Sequence, residues 1–267
     1  MKTSQVVAQE ETRAEPLLSP PVKIGRTRMH WWKLFFFALI SLLVVPAARA
    51  QDPVVVDPTI AKVEFENNRI RVLRVHYEPH EKLAMHVHPA KVAVCLTNFH
   101  MHRVAPDGTA SDGTCPAGTV SWREPEKHAV ENLDSAPAES VEIELKFAHG
   151  PAAPVPTLPA RALSEPMPSD LEPHHRPVLE NQYVRVMEAT IAPGDTTPYH
   201  THSLDTLYVR LADSSVRSQP MGKPWGPTRV AKPGQVTFEH NAAHSVTHRT
   251  RNVGSTPYRA LIVELLP

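Results

Sequence analysis

This chain repeats itself, and the repeat limits what it can become. Glu66-Asn67 and Arg71-Val72 recur as Glu180-Asn181 and Arg185-Val186, an offset of 114 residues. Pro79 and Pro193, His86 and His200, and His88 and His202 keep that offset with no gap. Further on, Asn132 and Pro137 correspond to Asn252 and Pro257 at an offset of 120, after loop insertions. Matches in one order at nearly one offset call for two copies of a single structural unit.

A proline-rich segment separates the copies. Between Ala148 and Pro177 stand eight prolines, at 151, 154, 156, 159, 166, 168, 173 and 177. Proline has no N–H for a ladder and disfavours helix, so residues 148–176 are expected to form a semi-rigid extended connector. With few large apolar side chains to bury, it should be open to protease. It leaves residues 53–147 and 177–267, each of roughly 95 residues and large enough for a small barrel.

Both copies read as strands. Val141-Glu-Ile-Glu-Leu-Lys-Phe147 alternates strictly, which places one face in a core and the other in water. Val120-Ser-Trp122, Val236-Thr-Phe238 and Ala260-Leu-Ile-Val-Glu-Leu-Leu266 are further β-branched or aromatic runs between Gly, Pro and Asn turns. No window of either copy shows a convincing 3.6-residue apolar period. The class is all-β.

Residues 1–50 read as an export signal. Trp31 to Val45 is almost wholly apolar, sits among Lys23, Arg26, Arg28 and Lys33, and ends at Pro46-Ala-Ala-Arg-Ala50. At about 15 residues the run is shorter than a membrane-spanning helix needs. A compact signal would start at Met29. The expected location is periplasmic or secreted, where Cys95 and Cys115 could pair; the alternative is one small core side chain and one turn residue. That leading segment carries seven Lys/Arg and three Asp/Glu, leaving 21 basic against 25 acidic residues and a net charge of −4. With no basic cluster, nucleic acid is not an expected partner.

The chemistry-bearing residues are histidines. His86-Val-His88 and His200-Thr-His202 each set two imidazoles on one face of a strand, roughly 6.5–7 Å apart along the chain and able to converge on one ion. The first copy continues with Pro116-Ala-Gly118 and His128-Ala-Val-Glu-Asn132, the second with Pro233-Gly234 and His248-Arg-Thr-Arg-Asn252. A turn, a strand and His-x-x-x-Asn would supply a third imidazole, with Asn starting the next turn. No Ser/His/Asp order, nucleotide-binding glycine loop or CxxC is present.

This assembly resembles the cupin superfamily, over nearly all of residues 60–147 and 177–266. The resemblance implies two tandem antiparallel β-barrels (double-stranded β-helix or jelly roll), a bicupin, each with metal and ligand inside. It implies His86, His88 and His128 as ligands in the first copy, and His200, His202 and His248 in the second. His244 stands as an alternative to His248, because it follows Val236 as His128 follows Val120. The family's fourth ligand, a Glu beyond the second His, is absent: Pro89-Ala-Lys91-Val92 and Ser203-Leu-Asp205-Thr206 stand there. Asp205 is one position early, and Lys91 would repel a cation. The family's leading glycine is Gly194 in the second copy and His80 in the first. The second site is therefore the better candidate.

Imidazole ligands suit a divalent transition metal such as Fe, Mn, Ni, Cu or Zn. The resulting expectation is a metal-dependent enzyme of dioxygenase or lyase/isomerase type acting on a small organic acid. The alternative is a non-catalytic barrel protein that binds a small acid or sugar, its metal structural or absent. Alternation would also turn Leu83, Met85 and Val87 outward, where the second copy has Thr197, Tyr199 and Thr201. Such an apolar outer face would be covered by the other copy or by a second subunit in a homodimer.

Overall fold

The computed structural model describes residues 51–152 and 167–267. The proposed signal, the Met29 start and the middle of the proline-rich segment lie outside them. The first copy opens with a one-turn helix α1 (Pro53–Val56), capped by Asp52, whose side chain accepts from the Val54 N–H. Nine strands follow: β1 (Ala61–Glu66), β2 (Ile70–Tyr77), β3 (Lys82–His88), β4 (Lys91–Cys95), β5 (Phe99–Val104), β6 (Ala110–Cys115), β7 (Val120–Arg123), β8 (Glu126–Asn132) and β9 (Ala138–Leu145). They pair as β1-β2-β9-β4-β7 and β3-β8-β5-β6.

The second copy contributes β10 (Met167–Pro168), β11 (His175–Glu180), β12 (Val184–Ile191), β13 (His200–His202), β14 (Thr206–Arg210), β15 (Ser214–Pro220), β16 (Arg229–Ala231), β17 (Val236–Glu239), β18 (Val246–Asn252) and β19 (Tyr258–Leu265). Its sheets run β11-β12-β19-β14-β17 and β10-β13-β18-β15-β16, the same topology with one strand added. The repeat holds in register as well, since Ala61 pairs with Val75 as His175 pairs with Ala189. Asn132 and Asn252 play one role: each side-chain amide donates to two backbone carbonyls and so fixes the following turn.

The two barrels share a core. Val72, Val92, Val94, Val141 and Ile143 of the first pack in one cluster with Val184, Val186, Leu207, Val209, Leu261 and Val263 of the second. Phe65 stacks on Phe238 and Trp122 on Tyr183 across the same contact. The alternating run in β9 is therefore turned differently from its expected water-facing arrangement. Its apolar residues face the other barrel, and Glu142 and Glu144 face the polar interior of their own. Gly234 adopts φ +80, as Gly118 adopts +86 in the first copy, and a Cβ at Gly234 would fall 2.8 Å from Arg74 Nη1. The Arg74 guanidinium donates to the Gly234 carbonyl, tying the barrels at a point only glycine fits.

The structure changes three further expectations. Leu83 is buried, not outward, because a bulge between Leu83 and His86 inserts one residue and resets the alternation. Met85 and Val87 are half-buried, and α1 lies against β3. The end of the proline-rich segment belongs to the second barrel: Met167–Pro168 pair in parallel with β13, and Ser169, Glu172 and His175 are buried. His80 holds φ +60 where Gly194 holds +82, a left-handed turn that costs a histidine about 1–2 kcal/mol.

Cys95 and Cys115 are bridged, closing a loop of 20 residues between the ends of β4 and β6. Titration of denatured, unreduced protein should find no free thiol, and reduction should lower stability by about 3 kcal/mol. Two free thiols before reduction would contradict the bridge.

Candidate metal centres

In the second barrel the His-x-His lies on β13 and the third histidine on the adjacent β18, so that His200 and His248 are direct cross-strand partners. The ring nitrogens of His200, His202 and His248 come within 4.8 Å of one another. His200 Nδ1–H donates to the Pro198 carbonyl at 3.0 Å, which leaves its Nε2 as a lone pair. That atom is 3.2 Å from His248 Nε2. On the outer side, His248 Nδ1 meets Ser218 Oγ at 3.2 Å, and His202 Nδ1 lies 3.7 Å from Glu264 Oε1. These contacts orient the rings from behind, as partners of metal-bound imidazoles do.

Burial keeps His200 and His248 neutral. It pushes His200 down to about 4, helped by the charge of His202, and holds His248 well below the usual imidazole range. Burial opposes the charge of Glu264 too, but the nearby His202 imidazole and a hydrogen bond from Ser169 outweigh it and lower the carboxyl's pKa. Three imidazoles at the wall of a cavity of about 540 Å³ fit a borderline divalent cation and leave positions open for a ligand.

The first barrel repeats the triad with a different surround. His86 and His128 are opposite each other on β3 and β8, and all three nitrogens again fall within 4.8 Å. His86 Nδ1–H donates to Ala84 O at 2.8 Å, and His88 Nδ1 meets Glu144 at 2.7 Å. Burial lowers His86 to about 3 and lowers His128 as well. But Arg103 Nη2 lies 2.8 Å from His128 Nδ1. Glu126 Oε2 lies 3.3 Å from the same nitrogen, so two charged groups compete for this ring, and the guanidinium would repel a cation held beside it. The cavity is also smaller, about 130 Å³.

The missing glutamate is replaced differently in each barrel. Lys91 and Thr206 hold the same register, paired with Glu144 and Glu264. Lys91 is 2 % exposed and sits 2.9 Å from Glu142 and 3.3 Å from Glu126. Asp205 does not turn toward the imidazoles. It accepts from the Ala242 N–H and pairs with His240 and with Arg69 of the first barrel. Of the two candidates for the third ligand, His248 joins the cluster, while His244 is exposed in the turn before β18.

Sequence reasoning missed His175. It lies at the start of β11, buried, its ring 5.0 Å from His200, with Nδ1–H donating to Ser169 O at 2.7 Å. Flanking prolines hid it in the proline-rich segment, and its counterpart Ala61 gives the repeat nothing to match. The available signal was a His-His pair just before an apolar strand. Glu264 was likewise visible only as a lone acid in an apolar run.

No family model matches this chain, and no curated protein matches it in sequence. Among solved structures, AerE from Microcystis aeruginosa is similar over 78% of this chain and 98% of its own, at 13% identity and a TM-score of 0.53. A cupin domain from Bordetella pertussis is 27% identical over 33% of this chain and 92% of its own, with a TM-score of 0.31. The Lactobacillus farciminis oxalate decarboxylase formate complex covers 78% of this chain and 85% of its own, at 14% identity and a TM-score of 0.48. The histidine clusters fit a metal-binding barrel of this type. The fold is two cupin-type antiparallel barrels in tandem.

Proposed function

We propose that the protein is an exported, metal-dependent enzyme whose second barrel holds the working ion and acts on a small organic acid. The observation that carries this reading is the meeting of His200 Nε2 and His248 Nε2 at 3.2 Å beside His202, at the wall of the larger cavity. His200, His202 and His248 would hold the ion; Pro198 O, Ser218 and Glu264 would keep the rings aimed. A bound Fe, Mn, Ni, Cu or Zn ion supplies a Lewis acid for a substrate oxygen, which suits dioxygenase or lyase/isomerase chemistry. Export is supported by the apolar segment before Gln51 and by the Cys95–Cys115 bridge, a bond that oxidising compartments preserve.

The test is elemental analysis of the purified protein, followed by a panel of small organic acids assayed under oxygen before and after chelation. About one metal ion per chain and turnover lost on chelation would support the reading. Metal with no turnover on any acid would favour the second reading, a non-catalytic small-molecule binder. That alternative draws on the first barrel, where Lys91 and Arg103 set positive charge beside the histidines.

A further inference from the structure

The second cavity contains polar groups that the metal reading leaves unused. Tyr208 and Ser214 line it, are 7 % and 5 % exposed, and each has a buried hydroxyl without a hydrogen-bond partner. Tyr208 is on β14 and Ser214 on β15, strands of opposite sheets, so the two hydroxyls reach the cavity from different walls. Buried hydroxyls are normally satisfied, and two left open around one cavity imply a ligand that satisfies them.

Arg210 lies two residues beyond Tyr208 and therefore on the same face of β14. Its guanidinium sits 5.6 Å from the centre of the Tyr208 ring and 5.0 Å from that of Tyr258, and donates to the Tyr258 hydroxyl. Among the described residues no carboxylate pairs with it. A guanidinium has five donors, and the unused ones suit a carboxylate. Apart from its imidazoles, the lining carries Arg210, Arg229 and Glu239, two positive groups against one negative. That balance accepts one carboxylate, and Glu239 opposes a second. The first barrel has Ala93 and Cys95 at the positions of Tyr208 and Arg210, so the device belongs to the second barrel alone.

We propose that the second cavity takes a small monocarboxylic acid bearing a further hydroxyl or keto oxygen, with Arg210 anchoring the carboxylate and Tyr208 and Ser214 hydrogen-bonding the ligand. This rests on the proposed function of the same cavity and narrows its substrate class. The Tyr208 ring is 6.0 Å from that of His202, so an acid held at Arg210 and Tyr208 extends to the imidazoles.

Calorimetric titration of the full protein tests it, using glycolate, lactate, pyruvate and longer 2-hydroxy acids, each beside its amide. At least one acid should bind, with the amide about tenfold weaker or more. Arg210→Gln should weaken the acid by about tenfold and leave the amide unchanged, and Arg210→Lys should restore part of the loss. Tyr208→Phe, which keeps the ring, should cost about threefold to tenfold. Metal content should stay the same in all three variants, since none removes a ligand. No binding by any acid, equal binding of acid and amide, or parent-like acid binding by both Arg210→Gln and Tyr208→Phe would overturn the proposal. The same titration on a His200→Ala/His202→Ala protein separates the two readings. Acid binding that survives there leaves the pocket standing, and turnover that survives there removes the metal-enzyme reading.

Discussion

Replacing His200 and His202 together by alanine is expected to lower metal affinity by about a hundredfold or more, while the same change at His86 and His88 leaves at least half of the bound metal. The second triad offers His200 Nε2 as a free lone pair, whereas Arg103 competes for His128 in the first. Equilibrium dialysis with elemental analysis reads the result; complete loss of metal in the first-barrel variant would place the working site in the wrong barrel. Because burial holds His200 near 4 and His86 near 3, these two rings should stay neutral well below the ordinary imidazole range. The sign for stability follows. The unfolded chain takes up protons as pH falls through about 6.5, while the folded rings do not. Metal-free protein should therefore keep its full stability above that pH and lose it progressively toward pH 4, by about 3 kcal/mol for His200 alone. Thermal unfolding at pH 7 and pH 5 measures this, and an unchanged midpoint would contradict it.

Val186→Asp should be at least as damaging. Val186 has no exposed surface and packs in the cluster that both barrels share. An aspartate there is an unpaired charge between two apolar sheets, costing about 3–5 kcal/mol. Because Val141, Ile143 and Leu145 of the first barrel lie in that same cluster, the loss should be felt by both barrels. The expected denaturant curve is one transition, shifted as a whole. A variant in which the first barrel melts at the parent midpoint while the second melts early would show that the barrels are energetically separate.

Much of this was legible in the chain, for physical reasons that also explain the gaps. The repeat survives because equivalent turns demand equivalent residues, as Asn132 and Asn252 do by each donating to the carbonyl four residues on. The histidine triads were readable because i, i+2 spacing fixes a shared face on any regular strand. The inward turn of Leu83 was not, since a bulge depends on the partner strand and leaves no mark in a single strand's pattern. Asp205 was misplaced for a related reason: its partners, Arg69 and His240, are far away in sequence. The β9 alternation correctly marked two unlike faces. It could not say that the charged face looks into a polar barrel, because nothing local distinguishes bulk water from an enclosed set of Lys91, His88 and Arg71.

Lys91 has a consequence for supply. A metal ion can be chelated, exchanged or scarce, and a barrel whose carboxylates depend on one changes its charge balance whenever the ion leaves. The first barrel carries its countercharge on a side chain, with the Lys91 ammonium between Glu126 and Glu142. That charge is made at the ribosome with the rest of the chain and cannot be diluted away. One half of the molecule thus keeps its polar interior balanced at any metal concentration, and through the common core it steadies the half proposed to hold an ion.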